Sequence, residues 1–193
     1  FDFDGTITDR EMFIRFLQHA APRARRLLAG ALLSPLYAAY KLRLVGGDVP
    51  RIAAVRTALA GMPLAIVQDR ARSYASDVLP QVLRPEAMAR IDLHRRQGHA
   101  IAVVTGALEL AVAPWCAQHG LDLIGSVLEV RNGVLTGRYA GAQCVRAEKA
   151  RRVRERYDLA AFEHVHAYGD TPEDRELLAL AQTRVYRWQP QAA

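Results

Sequence analysis

Cysteine is nearly missing from this 193-residue chain. Cys116 and Cys144 form no close-spaced pair, which leaves a CxxC metal site and a disulfide framework without support. A reducing cytoplasm is the expected compartment. Acidic side chains are in deficit, 20 Asp and Glu against 26 Lys and Arg, so the formal net charge is +6. That excess favours anionic partners without naming one. Long apolar runs are lacking too: LLAGALLSPLYAAY, residues 27–40, is too short to span a bilayer and is interrupted at Ser34-Pro35. Repeats, low-complexity tracts and a signal-peptide pattern are not found in these residues. Position 1 is not Met, and a single Phe precedes the first acid. The opening strand is therefore expected to draw a few apolar residues from upstream of this numbering.

What is present is ordinary globular composition, 51% hydrophobic and 24% charged, in a chain long enough to bury a core without staples. Residues 11–79 read as mostly helical, with stops at Pro22, Ser34-Pro35, Gly46-Gly47 and Gly61-Met62-Pro63. Beyond them helices and strands alternate. The pattern predicts helices at 85–96, 108–119, 147–157 and 173–181, and strands at 99–104, 121–124, 164–168 and 184–188. Asn132-Gly133, set between apolar alternations in residues 126–139, signals a β-hairpin. This alternation predicts an α/β fold with a parallel sheet and a helical insertion after the first strand. The core is expected over residues 1–10 and 81–193, and the insertion over 11–80.

Two basic stretches bear on partners. Arg151, Arg152, Arg154 and Arg156 flank an apolar stripe of Ala147, Ala150, Val153 and Tyr157, so most of them read as the wet face of one helix, and no nucleic acid partner is expected. Arg23, Arg25 and Arg26 on one side and Lys41 and Arg43 on the other bracket the apolar stretch 27–40, part of the segment 27–45. A buried helix of the insertion is the favoured reading, and an interfacial helix at the inner face of a membrane the alternative.

The chemistry is concentrated at strand ends. In FDFDGTIT, residues 1–8, Asp2 and Asp4 sit two apart between phenylalanines and directly before a glycine. Unpaired carboxylates are costly to bury, and two close together resist joint ionisation unless a cation sits between them. Hard oxygen ligands suit Mg²⁺ working with phosphate. AYGDTPEDRE, residues 167–176, repeats the layout of strand end, glycine and acids with Asp170 and Asp174. Helix capping is the plainer role for those residues, yet it does not account for the same layout twice. Between the two stretches, Thr105-Gly106 closes a strand, offering a hydroxyl and backbone N–H groups. Lys149 stands in the first turn of a helix, where the helix dipole disfavours a cation.

FDFDGTIT, VVTG at 103–106, Lys149 and YGDTPED at 168–174, in this order, resemble the four motifs of the haloacid dehalogenase-like superfamily. The helical insertion and the hairpin resemble the subclass containing phosphoserine phosphatase. The resemblance implies a Rossmann-like core with a helical cap and a β-hairpin flap. It implies a phosphatase, a phosphoric monoester hydrolase acting through an aspartyl-phosphate on a phosphorylated small molecule or lipid head group. Asp2 would be the nucleophile and Asp4 the general acid and base. Asp2, the Asp4 backbone carbonyl and Asp170 would hold Mg²⁺. Thr105, Gly106 and Lys149 would bind the phosphoryl group, and Asp174 would orient Lys149 or metal-bound waters. Glu11 stands where phosphoserine phosphatases place a glutamate against the substrate's amino group, and Arg56 is the candidate for their carboxylate-binding arginine. The apolar stretch 27–45 is closer to the branch with phosphatidylglycerophosphatase C-like and histidinol-phosphatase-like members. A phosphotransferase using the same intermediate and a non-catalytic phosphate-binding protein remain as alternatives. His164 and His166 share a strand face and are read as flanking the sheet; the other histidines show no ligand spacing.

Overall fold

The computed structural model of the chain describes residues 1–42 and 44–191. The first helices follow the breakers in the sequence. Helix α1 (Phe13–Ala20) buries Phe16, Leu17 and Ala20 and stops before Pro22. Helices α2 (Arg23–Lys41), α3 (Asp48–Leu59) and α4 (Leu64–Asp77) complete the expected helical stretch. The expected stop at Ser34-Pro35 does not occur, because Pro35 lies within α2. The helix is exposed there, so water can solvate the carbonyl that Pro35 leaves without a donor. Ser34 Oγ meanwhile donates to the Gly30 carbonyl at 2.5 Å.

The expectation of a buried helix at 27–45 also fails. Leu27, Leu42 and Leu44 are 78%, 71% and 73% exposed, and among the described side chains of the helix a stripe including Ala29, Leu33, Leu36 and Ala39 is half-buried. Its main neighbour is α3, and a single neighbour cannot cover the remaining faces. Arg43, which flanks this stretch, lies outside the described residues. No helix among the described residues is long and apolar enough to cross a membrane.

After the insertion come α5 (Pro85–Arg96), β1 (Ala102–Leu108), α6 (Glu109–Gln118) and β2 (Asp122–Ser126). The hairpin is β3 (Leu128–Arg131) and β4 (Val134–Tyr139). The chain then runs through α7 (Ala147–Arg156), β5 (His166–Gly169), a short α8 (Arg175–Leu178), β6 (Thr183–Tyr186) and β7 (Gln189–Gln191). Strand β1 starts three residues later than expected and runs through Thr105-Gly106 to Leu108. Its limits follow its parallel partner, which begins with Asp122 opposite Ala102, rather than the apolar run. Strand β7, for which the sequence carries no signal, pairs antiparallel with β6.

The sheet is recorded in pieces, β1–β2 and β5–β6–β7, and the opening residues lie between them. The Phe1 amino group donates to the Ala102 carbonyl (2.8 Å), Val104 N–H to the Phe1 carbonyl (2.7 Å) and Asp2 N–H to the Tyr168 carbonyl (2.8 Å). The expected first strand therefore occupies a strand's place without forming a regular ladder. Phe3 and Ile7, essentially unexposed, anchor it, and Phe3 meets Trp115 of α6 edge-on at 5.4 Å. Burial of each such side chain contributes about 1.5–3 kcal/mol. The hairpin turns at Asn132 (φ +50°) and Gly133 (φ +73°), as a two-residue turn with both centres left-handed requires. Residues 61–64 join it through Gly61 N–H to Leu135 O (2.8 Å), Leu135 N–H to Met62 O (2.9 Å) and Leu64 N–H to Gly133 O (2.8 Å).

Candidate active site

Two turns at the carboxyl edge of the strands carry the acids. In the first, Gly5 has φ +81°, and a Cβ there would run into the Asp170 carboxylate. Only glycine serves both demands. The turn is held from outside: Arg84 Nε donates to the Gly5 and Thr8 carbonyls (3.1 and 3.2 Å), and Trp188 Nε1 to the Thr6 carbonyl (3.2 Å). Thr6 Oγ1 donates to Asp170 Oδ1 at 2.9 Å, stitching the first turn to the second.

In the second turn a Cβ on Gly169 would lie 2.6 Å from Asp174 Cβ, so glycine admits the aspartate. Asp174 Oδ2 accepts from Asp170 N–H (3.1 Å), Thr171 N–H (3.0 Å) and Thr171 Oγ1 (3.1 Å). Arg187 Nε caps the Asp170 carbonyl at 3.0 Å. Helix α7 begins after Arg146, held at φ +53° with its N–H bonded to the Glu173 carbonyl (3.1 Å). One turn on, Lys149 Nζ reaches Asp2 Oδ1 and Asp174 Oδ1, each at 2.5 Å. Lys149 is buried, not solvent-facing. Thr105 is also buried, and its Oγ1 accepts from Ala107 N–H at 3.0 Å.

The charges are unequal. Burial pushes the Asp2 carboxyl up to about 7, although Lys149 pulls the other way. Burial, then Glu11, then Asp2 raise Asp4 well above the carboxylate range, against a single N–H from Met12 at 3.2 Å. Asp170 is raised by burial as well. Burial also opposes the charge of Asp174, but Lys149 and the backbone donors outweigh it and hold that group below its ordinary value. For Lys149 the two carboxylates outweigh burial, and its ammonium is held above the usual lysine range.

Asp2, Asp170 and Asp174 each offer a carboxylate oxygen, and these lie within 4.8 Å of one another. Hard oxygens gathered with less cationic charge than anionic fit a divalent ion such as Mg²⁺. Asp4 adds no carboxylate oxygen to that group, which leaves its backbone carbonyl as the ligand the resemblance assigns.

The acids open into a cavity of about 250 Å³ shared with residues of α2 and α3. Glu11 lines it, as do Thr105, Gly106 and Lys149. Arg56 does not. It is exposed on α3 with its Cα against Gly137 of the hairpin, while Arg51 lines the cavity and lies 3.4 Å from Glu173. Five residues apart on a helix means about 140° around its axis, so the two arginines cannot face one place. Tyr40 and Glu173 also line the cavity. The sequence held no signal for them, nor for Arg84, Arg187 and Trp188, whose contacts depend on chain crossings. A larger cavity, about 440 Å³, lies at the opposite edge of the sheet with largely apolar walls. It holds no acid pair and no lysine, so size does not mark the chemistry here.

The family model for haloacid dehalogenase-like hydrolases matches residues 1–179. The chain is 37% identical over 190 residues to Protein CicA of Caulobacter vibrioides, covering 97% of this chain and 84% of that protein. It is 32% identical over 127 residues to phosphoserine phosphatase SerB2 of Mycobacterium tuberculosis, covering 64% of this chain and 29% of that protein. A solved phospho-aspartyl intermediate analogue of phosphoserine phosphatase shares the fold, with a TM-score of 0.65, 19% identity and coverage of 96% of this chain and 83% of that one.

Proposed function

Since the chain belongs to the haloacid dehalogenase-like hydrolase family, with phosphoserine phosphatases among its relatives, we propose that it is a Mg²⁺-dependent phosphomonoester hydrolase with Asp2 as nucleophile. Lys149 engages one Asp2 oxygen, and the other attacks phosphorus as the bond from phosphorus to the ester oxygen breaks. The electron pair departs with that oxygen, and Asp4 gives it a proton. Burial and the neighbouring acids raise the Asp4 carboxyl, which favours the protonated form this step needs. In the second half Asp4 takes a proton from water as the water oxygen bonds to phosphorus. The bond from phosphorus to Asp2 then breaks, releasing phosphate and restoring the carboxylate. The Thr105 hydroxyl, the Gly106 N–H and Lys149 bind phosphoryl oxygens as charge shifts among them. Asp174 acts through Lys149, holding its ammonium in place. Mg²⁺ held by Asp2, Asp170 and the Asp4 carbonyl would offset the repulsion between an anionic nucleophile and an anionic phosphate.

The observation that carries this reading is Lys149 clasped between Asp2 and Asp174, on one cavity with Asp4. Asp2→Asn is expected to abolish release of p-nitrophenol from its phosphate ester while the circular dichroism spectrum stays native. Near-normal turnover by that variant would exclude Asp2 as nucleophile.

For the substrate, Glu11 and Arg51 on one cavity suit a small phosphate ester bearing both an amino group and a carboxylate, with Arg51 in the role first given to Arg56. A second reading is favoured by Tyr40, which lines the cavity and lies with its ring 6.0 Å from that of exposed Tyr37, in a segment where Leu42 and Leu44 are also exposed. A lipid-derived phosphate could enter along such a surface, with Arg23, Arg26 and Lys41 meeting anionic head groups. A release assay comparing phosphoserine, histidinol phosphate and phosphatidylglycerophosphate, with and without anionic vesicles, separates the two. Vesicle-dependent turnover that Leu27→Glu and Leu42→Glu remove selects the lipid. Vesicle-independent turnover of phosphoserine selects the polar ester. Transfer to added alcohols would indicate a phosphotransferase, and no release from any ester with Mg²⁺ a binding protein.

A further inference from the structure

At the edge of the sheet opposite the acids, three histidines far apart in sequence converge. His94 lies in the last turn of α5, His99 follows the turn at Gly98, and His166 opens β5. Each offers a ring nitrogen, and these nitrogens lie within 4.8 Å of one another. His94 Nδ1 and His99 Nδ1 are 2.8 Å apart, and the His166 ring centroid lies 4.9 and 5.9 Å from those of His94 and His99.

The geometry points to a second metal site: His94, His99 and His166 form a binding site for Zn²⁺, separate from the carboxylates. Zinc–nitrogen bonds of about 2.0–2.1 Å in tetrahedral geometry place ligand nitrogens roughly 3.4 Å apart, within reach of small side-chain rotations here. The buried His94 is already oriented, because its Nε2 is hydrogen-bonded to Tyr168 Oη at 2.9 Å, which leaves Nδ1 facing His99. An outer partner of this kind is what fixes a ligating imidazole. Two ring nitrogens 2.8 Å apart must share a proton, and the ion takes that proton's place. His99 is exposed and gives the ion a way in. Imidazole nitrogens favour zinc over Mg²⁺, which prefers the oxygens across the sheet. A bound ion fastens the end of α5 to the start of β5.

The test is a calorimetric Zn²⁺ titration of the whole protein in saturating Mg²⁺, with Co²⁺ absorption reporting ligand geometry. One equivalent is expected to bind, with a tetrahedral Co²⁺ spectrum, and to raise the thermal midpoint. His99→Ala and His166→Gln are expected to weaken Zn²⁺ at least about tenfold while leaving Mg²⁺-dependent phosphate release unchanged. Asp170→Asn is expected to keep the Zn²⁺ site. Binding that survives both histidine variants, binding lost only in Asp170→Asn, or no binding at all would overturn the proposal. Should His166→Gln fail to fold, the exposed His99→Ala decides alone.

Discussion

The buried carboxylates at one edge of the sheet and the buried imidazole of His94 at the other meet the cost of burial differently. A buried carboxylate keeps its charge only with a cation or several donors. Asp174 has Lys149 and three further donors, Asp2 has Lys149 alone, and Asp4 has one backbone N–H and is raised well above its ordinary value. Buried His94 needs no counter-charge, because burial pushes it down to about 4 and its ring bonds to Tyr168 and His99. One cluster is graded by how much positive charge reaches each member. The other is graded by burial, from buried His94 through half-buried His166 to exposed His99.

The largest break in that comparison comes from removing the shared cation. Lys149→Met leaves two buried acids unpaired and is expected to cost about 3–5 kcal/mol in urea unfolding, together with turnover. Unchanged stability would mean the acids do not depend on it. Smaller is the effect of the second cation, Arg51. Arg51→Ala is expected to raise KM about 10–100-fold for a carboxylate-bearing substrate, the equivalent of one charged hydrogen bond. Arg56→Ala should leave KM alone, and equal effects of the two would void the assignment.

The smallest effect is a slope. Asp2 moves from 3.8 to about 7, so between those values the folded chain holds more protons than the unfolded one and stability falls as pH rises. His94 moves from 6.5 to about 4, so over that window the folded chain holds fewer and stability rises with pH. With divalent ions chelated, His94→Gln should steepen the fall of the thermal midpoint between about pH 4 and 6.5. Asp2→Asn should flatten it. A profile that neither variant changes would erase the contrast between the clusters.

Much of the acid site could be read along the chain, because strand end, glycine and acid recur as local patterns at Asp2, Asp4 and Asp170, and Gly169 has a local steric reason in Asp174. The carboxylate that excludes a side chain at Gly5, by contrast, is that of the distant Asp170. Lys149 stood out through its unfavourable place in a helix. Arg56 did not enter the cavity because helical phase, not residue type, decides which arginine faces inward. The exposure of α2 was hidden for a related reason: its apolar content predicts a buried face, but only neighbouring elements can supply the cover. The histidines gave no spacing signal, since 94, 99 and 166 belong to three segments.

By itself the sequence determined most of the order of elements, the hairpin turn, the glycines at the two strand ends and the family to which the chain belongs. Those are matters of backbone conformation and short-range spacing. Only the tertiary structure decided which oxygen Lys149 holds, which arginine meets the cavity, how bare α2 is left and where three imidazoles gather. Each of these is a distance between groups tens of residues apart, and packing alone sets such distances.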